Sequence, residues 1–137
     1  SLAAGIGDPT EFEDEGEPIF LYASETVDRA DCVFSVSGDS MEPEYHDGDL
    51  VLVRRIPDAP ELKEGEIGAF IVGNETYIKE YREDGLHSLN PKYDVIRFSD
   101  EGSVYLIGRV IGVLSPESIA TEADVKRYLA IHGDEEN

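Results

Sequence analysis

The sequence is short of positive charge. Eleven Lys and Arg stand against 31 Asp and Glu, a formal net charge of −20 over 137 residues. A surface of that sign repels phosphate, which argues against gripping DNA or RNA through a basic footprint and disfavours anionic membranes. Cysteine is almost missing: Cys32 stands alone, so no internal disulfide is possible and no thiol set exists for zinc. No run approaches the roughly 20 apolar residues that cross a bilayer, and the N-terminus lacks the basic-then-apolar pattern of a secretory signal. No internal repeat is present, nor any low-complexity tract beyond one acidic stretch. The expectation is a soluble, cytoplasmic, acidic protein with no metal and no cofactor. This length predicts one domain, and 40% hydrophobic residues supply a modest core.

What is present reads mostly as strands. Asp8–Glu17 carries six acids with one proline and one glycine and is expected to be a mobile, solvated loop, with ordered chain beginning near Pro18. Cys32–Val36 reads as a short strand ended by Ser37-Gly38. Asp47-Gly48-Asp49 turns into Leu50–Val53, a continuous apolar run that predicts burial on both faces. Glu66–Val72 pairs with Thr76–Tyr81 through Gly73-Asn74, and Asp84-Gly85 offers a second turn before Leu86–Leu89. Val104–Leu114 is a long apolar strand broken by Gly108 and Gly112, as in a sheet that curls. Only the tail looks helical. Thr121–Asp124 fits a capping box, Val125, Tyr128 and Leu129 share one face, and Gly133 ends the helix. The class is mainly β: curled antiparallel sheets or a partial barrel, with a short C-terminal helix.

The stretch richest in chemistry is Val36-Ser37-Gly38-Asp39-Ser40-Met41-Glu42-Pro43. A serine after a glycine turn projects its hydroxyl beside free backbone N–H groups, the parts that a nucleophile and an oxyanion hole require. The same residues also suit a plain polar turn capping a short helix near Glu42-Pro43. As partners, His46, His87 and His132 read as turn or surface residues. Lys79 shares a strand face with Tyr77 and Tyr81. Flanking rings there would desolvate the ammonium and free a neutral base, although an ordinary strand lysine keeps its head in water. Ser40 and Lys79 lie 39 residues apart, on strand ends separated by one buried strand and one hairpin. A Ser-Lys dyad is therefore sterically reasonable. Cation binding through Asp47, Asp49 or the acidic stretch has no ligand spacing to support it.

Four segments occur in a telling order: Val36–Met41, Asp47–Val53, Tyr77–Tyr81 and Ile107–Val113. In this they resemble the LexA-like and phage CI-like repressors, whose self-cleaving domains form peptidase family S24. The resemblance runs from about Ala3 to Leu114. It implies that the fold is of the LexA–signal-peptidase type, that Ser40 is the nucleophile, and that Lys79 is the general base. The backbone N–H groups of Asp39 and Ser40 would form the oxyanion hole, and Met41 would pack beneath the turn. Asp39 and Asp49 would serve turn hydrogen bonding. Ala4-Gly5, in Leu2-Ala3-Ala4-Gly5, resembles the family's scissile bond.

The implied layout is a cleavage-site segment with the acidic loop at 1–17, a peptidase and dimerisation domain at 18–114, and a helical extension at 115–137. The resemblance further implies a homodimer and no membrane, and switching by a RecA-type filament or an antirepressor in response to DNA damage. DNA would be contacted only through an N-terminal helix-turn-helix absent from this chain, which is then expected to be a fragment. Two alternatives stand beside this one. A dimerisation or partner-binding module would keep the motif without cutting. A signal-peptidase-like protease would share Ser-x-Met and the lysine but expects a membrane anchor.

Overall fold

The computed structural model describes residues 9–14, 17–55 and 62–132. In chain order the elements are β1 (Thr10–Asp14), β2 (Glu17–Leu21), α1 (Glu25–Arg29), β3 (Cys32–Ser35), β4 (Leu50–Arg55), β5 (Ile67–Val72), β6 (Glu75–Arg82), β7 (Gly85–His87), β8 (Ile96–Arg97), β9 (Val104–Val113) and α2 (Glu122–His132). The protein is mainly β, as its alternating and apolar runs predict. β1 and β2 form a two-stranded antiparallel sheet. The other strands form one antiparallel sheet in the order β3-β4-β9-β5-β6-β7-β8.

An interior strand, β9, makes that sheet curl. Its pairing with β5 shifts register between Ala69 and Phe70, and its pairing with β4 shifts between Leu52 and Val53. Each shift leaves one extra β9 residue, Ile107 and Ile111, and such bulges bend and twist a strand. At Gly108 β4 comes so close that a Cβ would lie 2.2 Å from the Arg54 carbonyl oxygen. The curl brings β3 and β6 around a shared core. Val36, Val51, Val53, Ala69 and Ile78 pack together there, with Phe34 and Ile107 against them. Val51, Leu52 and Val53 are all buried, as the unbroken apolar run requires.

Four expectations need correction. Residues 10–14 of the acidic stretch form a strand, not a solvated loop: Phe12 faces Ile19 across the hairpin and is buried in a core cluster with Leu21, Val27, Val33 and Leu52. Alternation Glu11-Phe12-Glu13 sends the charges outward, and one buried ring outweighs the local charge count. A second helix, α1, precedes β3. Ser24 Oγ caps it by accepting from the Val27 N–H at 3.0 Å, and Val27 anchors it in the core. The β6–β7 turn is Glu83-Asp84, one residue earlier than expected, because Arg82 pairs with Gly85. Gly85 lies inside β7, where a Cβ would sit 2.4 Å from the Ile96 carbonyl oxygen. Finally, Leu129 is 48% exposed.

The helix α2 begins as its sequence predicts, with Thr121 Oγ1 accepting from the Asp124 N–H at 3.2 Å. The chain leading to it docks along β2 through Tyr22 N–H to Ser118 O and Ala120 N–H to Phe20 O, each 2.8 Å. Tyr128 stacks between Phe20 and His132, and this side sets the packed face, so Leu129 points away. Gly133 lies outside the described residues. Among those residues no helix is long and apolar enough to cross a membrane.

Candidate active site

Ser40 sits in the loop from Val36 to Asp49, whose ends are tied by Val36 N–H to Asp49 O at 2.8 Å and Gly48 N–H to Val36 O at 2.7 Å. Within it Gly38 adopts φ +77°, a left-handed conformation that side chains rarely take, and its N–H donates to Asp47 Oδ1 at 2.7 Å. Met41, 1% exposed, anchors the next residue in the interior. The loop is therefore held on both sides of Ser40 while the serine itself stays at the surface of a cleft. Among the described residues, no backbone carbonyl accepts from the Asp39 or Ser40 N–H groups.

Lys79 comes from the middle of β6, paired opposite Gly68 of β5. It is 7% exposed, the one charged side chain buried among the described residues. Its Nζ donates to Ser40 Oγ at 2.7 Å and to Ser88 Oγ at 2.9 Å, and lies 5.9 Å from the Tyr77 ring centroid. Burial holds its pKa below the ordinary lysine value. Tyr81 packs its ring on Phe98, so of the two expected tyrosines it is Tyr77 whose ring lies beside the ammonium. Both dyad candidates open into a cleft of about 840 Å³ walled by β3, β6 and the Val36–Met41 segment. A desolvated amine touching a hydroxyl can take its proton, and a cleft of that size admits an extended peptide.

The Ser40 loop is braced from outside. Asp39 accepts from Lys92 Nζ at 2.9 Å and from the Tyr93 hydroxyl. The Tyr93 bond, followed by the Lys92 contact, holds the exposed Asp39 carboxyl below its usual pKa. Asn90 donates its backbone N–H to Ser40 O at 2.9 Å and its side-chain amide to Asp39 O at 3.1 Å.

A family model described as Peptidase S24-like matches residues 1–111. The chain belongs to the S24-like peptidase family. It is similar to LexA repressor 1 of Nocardia farcinica, 35% identical over 120 residues that cover 82% of this chain and 51% of that protein. It is also similar to the LexA repressor of Thermobifida fusca, 37% over 87 residues covering 60% and 32%. A third relative is the LexA repressor of Oleidesulfovibrio alaskensis, 31% over 112 residues covering 71% and 53%. The chain spans about half the length, or less, of these curated relatives.

Within this S24-like fold, Ser40, Lys79 and Asp39 converge on one cleft. Ala4 and Gly5 lie outside the described residues. His46 is exposed beside Asp49, His87 bonds Asp84 at 2.7 Å, and His132 stacks on Tyr128; each is remote in contact from Ser40. Asp49 Oδ2 accepts from the His46 N–H at 2.8 Å. Among the described residues no group of three or more His, Cys, Asp or Glu could hold a metal ion. Ser88 and Asn90 were not singled out in the sequence. A β6–β7 turn placed at Glu83-Asp84 extends the register to set Ser88 opposite Lys79, whereas a turn one residue later slips it away.

Proposed function

We propose that this chain is the regulatory domain of a LexA-like repressor that cuts its own backbone between Ala4 and Gly5. The observation that supports this best is the buried Lys79 amine in hydrogen-bond contact with Ser40. Neutral Lys79 takes the Ser40 proton as Oγ attacks the Ala4 carbonyl. The oxyanion is received by the Asp39 and Ser40 N–H groups. As the C–N bond breaks, the Lys79 ammonium returns its proton to the Gly5 amine, leaving Ala4 esterified to Ser40. Water, deprotonated by the same lysine, then releases the Ala4 carboxylate and restores the serine.

The part matched by this chain covers only 32–53% of the relatives named as repressors. The chain then acts as the part that pairs two DNA readers as a homodimer in the cytoplasm, with DNA contacted through another segment. Its charge of −20 supports that division of labour. A RecA-type filament or an antirepressor favours the state with the Ala4-Gly5 segment docked, which needs only a few kcal/mol of differential binding. The test is intact-mass measurement of the chain after incubation from neutral to strongly alkaline pH, with Ser40→Ala and Lys79→Ala alongside. Loss of Ser1–Ala4 in the parent and not in either variant supports the reading. A folded chain that keeps its mass at every pH rejects it in favour of a module that switches without cutting.

A further inference from the structure

The segment from Ser88 to Tyr93 touches both halves of the candidate dyad. Ser88 Oγ lies 2.9 Å from Lys79 Nζ. Two residues on, Asn90 holds the Ser40 and Asp39 carbonyls, and then Lys92 and Tyr93 hold the Asp39 carboxylate. One stretch of six residues thus spans from the amine to the turn that carries the hydroxyl.

We propose that Ser88–Tyr93 is the positioning element of this site, with Ser88 aiming the Lys79 amine at Ser40 and Asn90 holding the Ser40 turn. The proposal rests on the dyad reading above. A neutral amine has two N–H bonds and one lone pair. To accept the Ser40 proton its lone pair must face Oγ, which turns both N–H bonds elsewhere. In a buried site an N–H without an acceptor is costly, and Ser88 Oγ supplies one at the distance that fixes the rotation about Cε–Nζ. Ser88 acts through Lys79 and does not contact the reacting bond. Other ionisable groups line the same cleft: the Glu13, Asp39 and Glu75 carboxylates, the Arg55 guanidinium, the Tyr77 and Tyr93 phenols, and the Cys32 thiol. Among the described residues none of these side chains hydrogen-bonds to Lys79. The two serine hydroxyls are its polar partners.

The experiment measures two things on the parent chain, Ser88→Ala, Ser88→Thr and Asn90→Ala. One is the rate of self-cleavage against pH. The other is the titration of the Lys79 side chain, followed by the ¹³Cε shift in chain labelled on its four lysines. An ammonium that loses an acceptor is less stabilised, so Ser88→Ala moves the Lys79 midpoint to lower pH. Its plateau rate falls about tenfold, a fraction of what a general base contributes, and threonine restores both. Asn90→Ala lowers the plateau with the midpoint unmoved. An unmoved Lys79 midpoint in Ser88→Ala overturns the proposal, and so does a parent-like plateau. If the parent cuts at no pH, the self-cleavage reading fails on its own, and the lysine titration still decides for or against Ser88.

Discussion

Replacing Lys79 by methionine should make the protein more stable at neutral pH, at the expense of its chemistry. Lys79 is 7% exposed, and its ammonium has two serine hydroxyls as polar partners. Exchanging buried charged groups for apolar side chains of similar volume ranges from neutral to a gain of about 1–4 kcal/mol. Against that, Ser40 and Ser88 each lose a partner at about 1 kcal/mol, but both are half-buried, so water recovers part of the loss. The net expectation is about 1 kcal/mol of stabilisation at pH 7, or about 4 °C in Tm for a chain of this size. The pH dependence has a definite sign. Lys79 titrates lower in the fold than its ordinary 10.5, so between those two values the unfolded chain binds more protons and the parent gains stability as pH rises. Below the folded value the lysine is charged in both states and the full burial penalty stands. The advantage of Lys79→Met is therefore greatest at neutral pH and shrinks as pH approaches 10.5. Urea unfolding of both proteins at several pH values measures it. A variant less stable at pH 7, or an advantage that grows with pH, would refute the burial argument.

Three further substitutions probe the frame around the cleft. Gly108→Ala places a methyl against the Arg54 carbonyl, 2.2 Å away, and should cost about 3 kcal/mol in urea unfolding; a parent-like midpoint would contradict the close β4–β9 approach. Phe12→Ala should cost about 3 kcal/mol, because Phe12 is 8% exposed in the core, and a neutral effect would return the acidic segment to a solvated loop. Leu129→Ala, at a position 48% exposed on α2, should change stability by less than about 0.5 kcal/mol by the same assay, and a larger loss would mean that this face of α2 is covered.

The parts of the fold that were legible in the sequence are those where one local signal dominates. Leu50–Val53 has no polar interruption, and Gly73 with φ +61° marks the β5–β6 turn unmistakably. Ser40 and Lys79 could be named because their combination, and the order of the segments around them, matches a family, although each alone also suits an ordinary turn or strand. What stayed hidden depended on counting or on distant partners. Six acids obscured the alternation that buries Phe12, and α1 is too short for a helical period to show. The face of α2 is chosen by Phe20, whose ring packs on Tyr128, and by Tyr22, whose hydroxyl donates to the Asp124 carboxylate, both about a hundred residues away. Ser88 was missed for want of one residue of register: with Gly85 read as a turn glycine, and not as a strand glycine facing Ile96, the hydroxyl opposite Lys79 goes unnoticed.

The central claim is that a neutral Lys79 activates Ser40 to cut Ala4-Gly5 in its own chain. The most direct test sets the rate of that cut, from intact mass, against the Lys79 ¹³Cε titration in the same buffers. The rate should rise about tenfold per pH unit and level off at the lysine midpoint, which falls below 10.5. It should be independent of protein concentration and absent in Ser40→Ala. A rate indifferent to the titration of Lys79, or cutting that persists without the Ser40 hydroxyl, would contradict it.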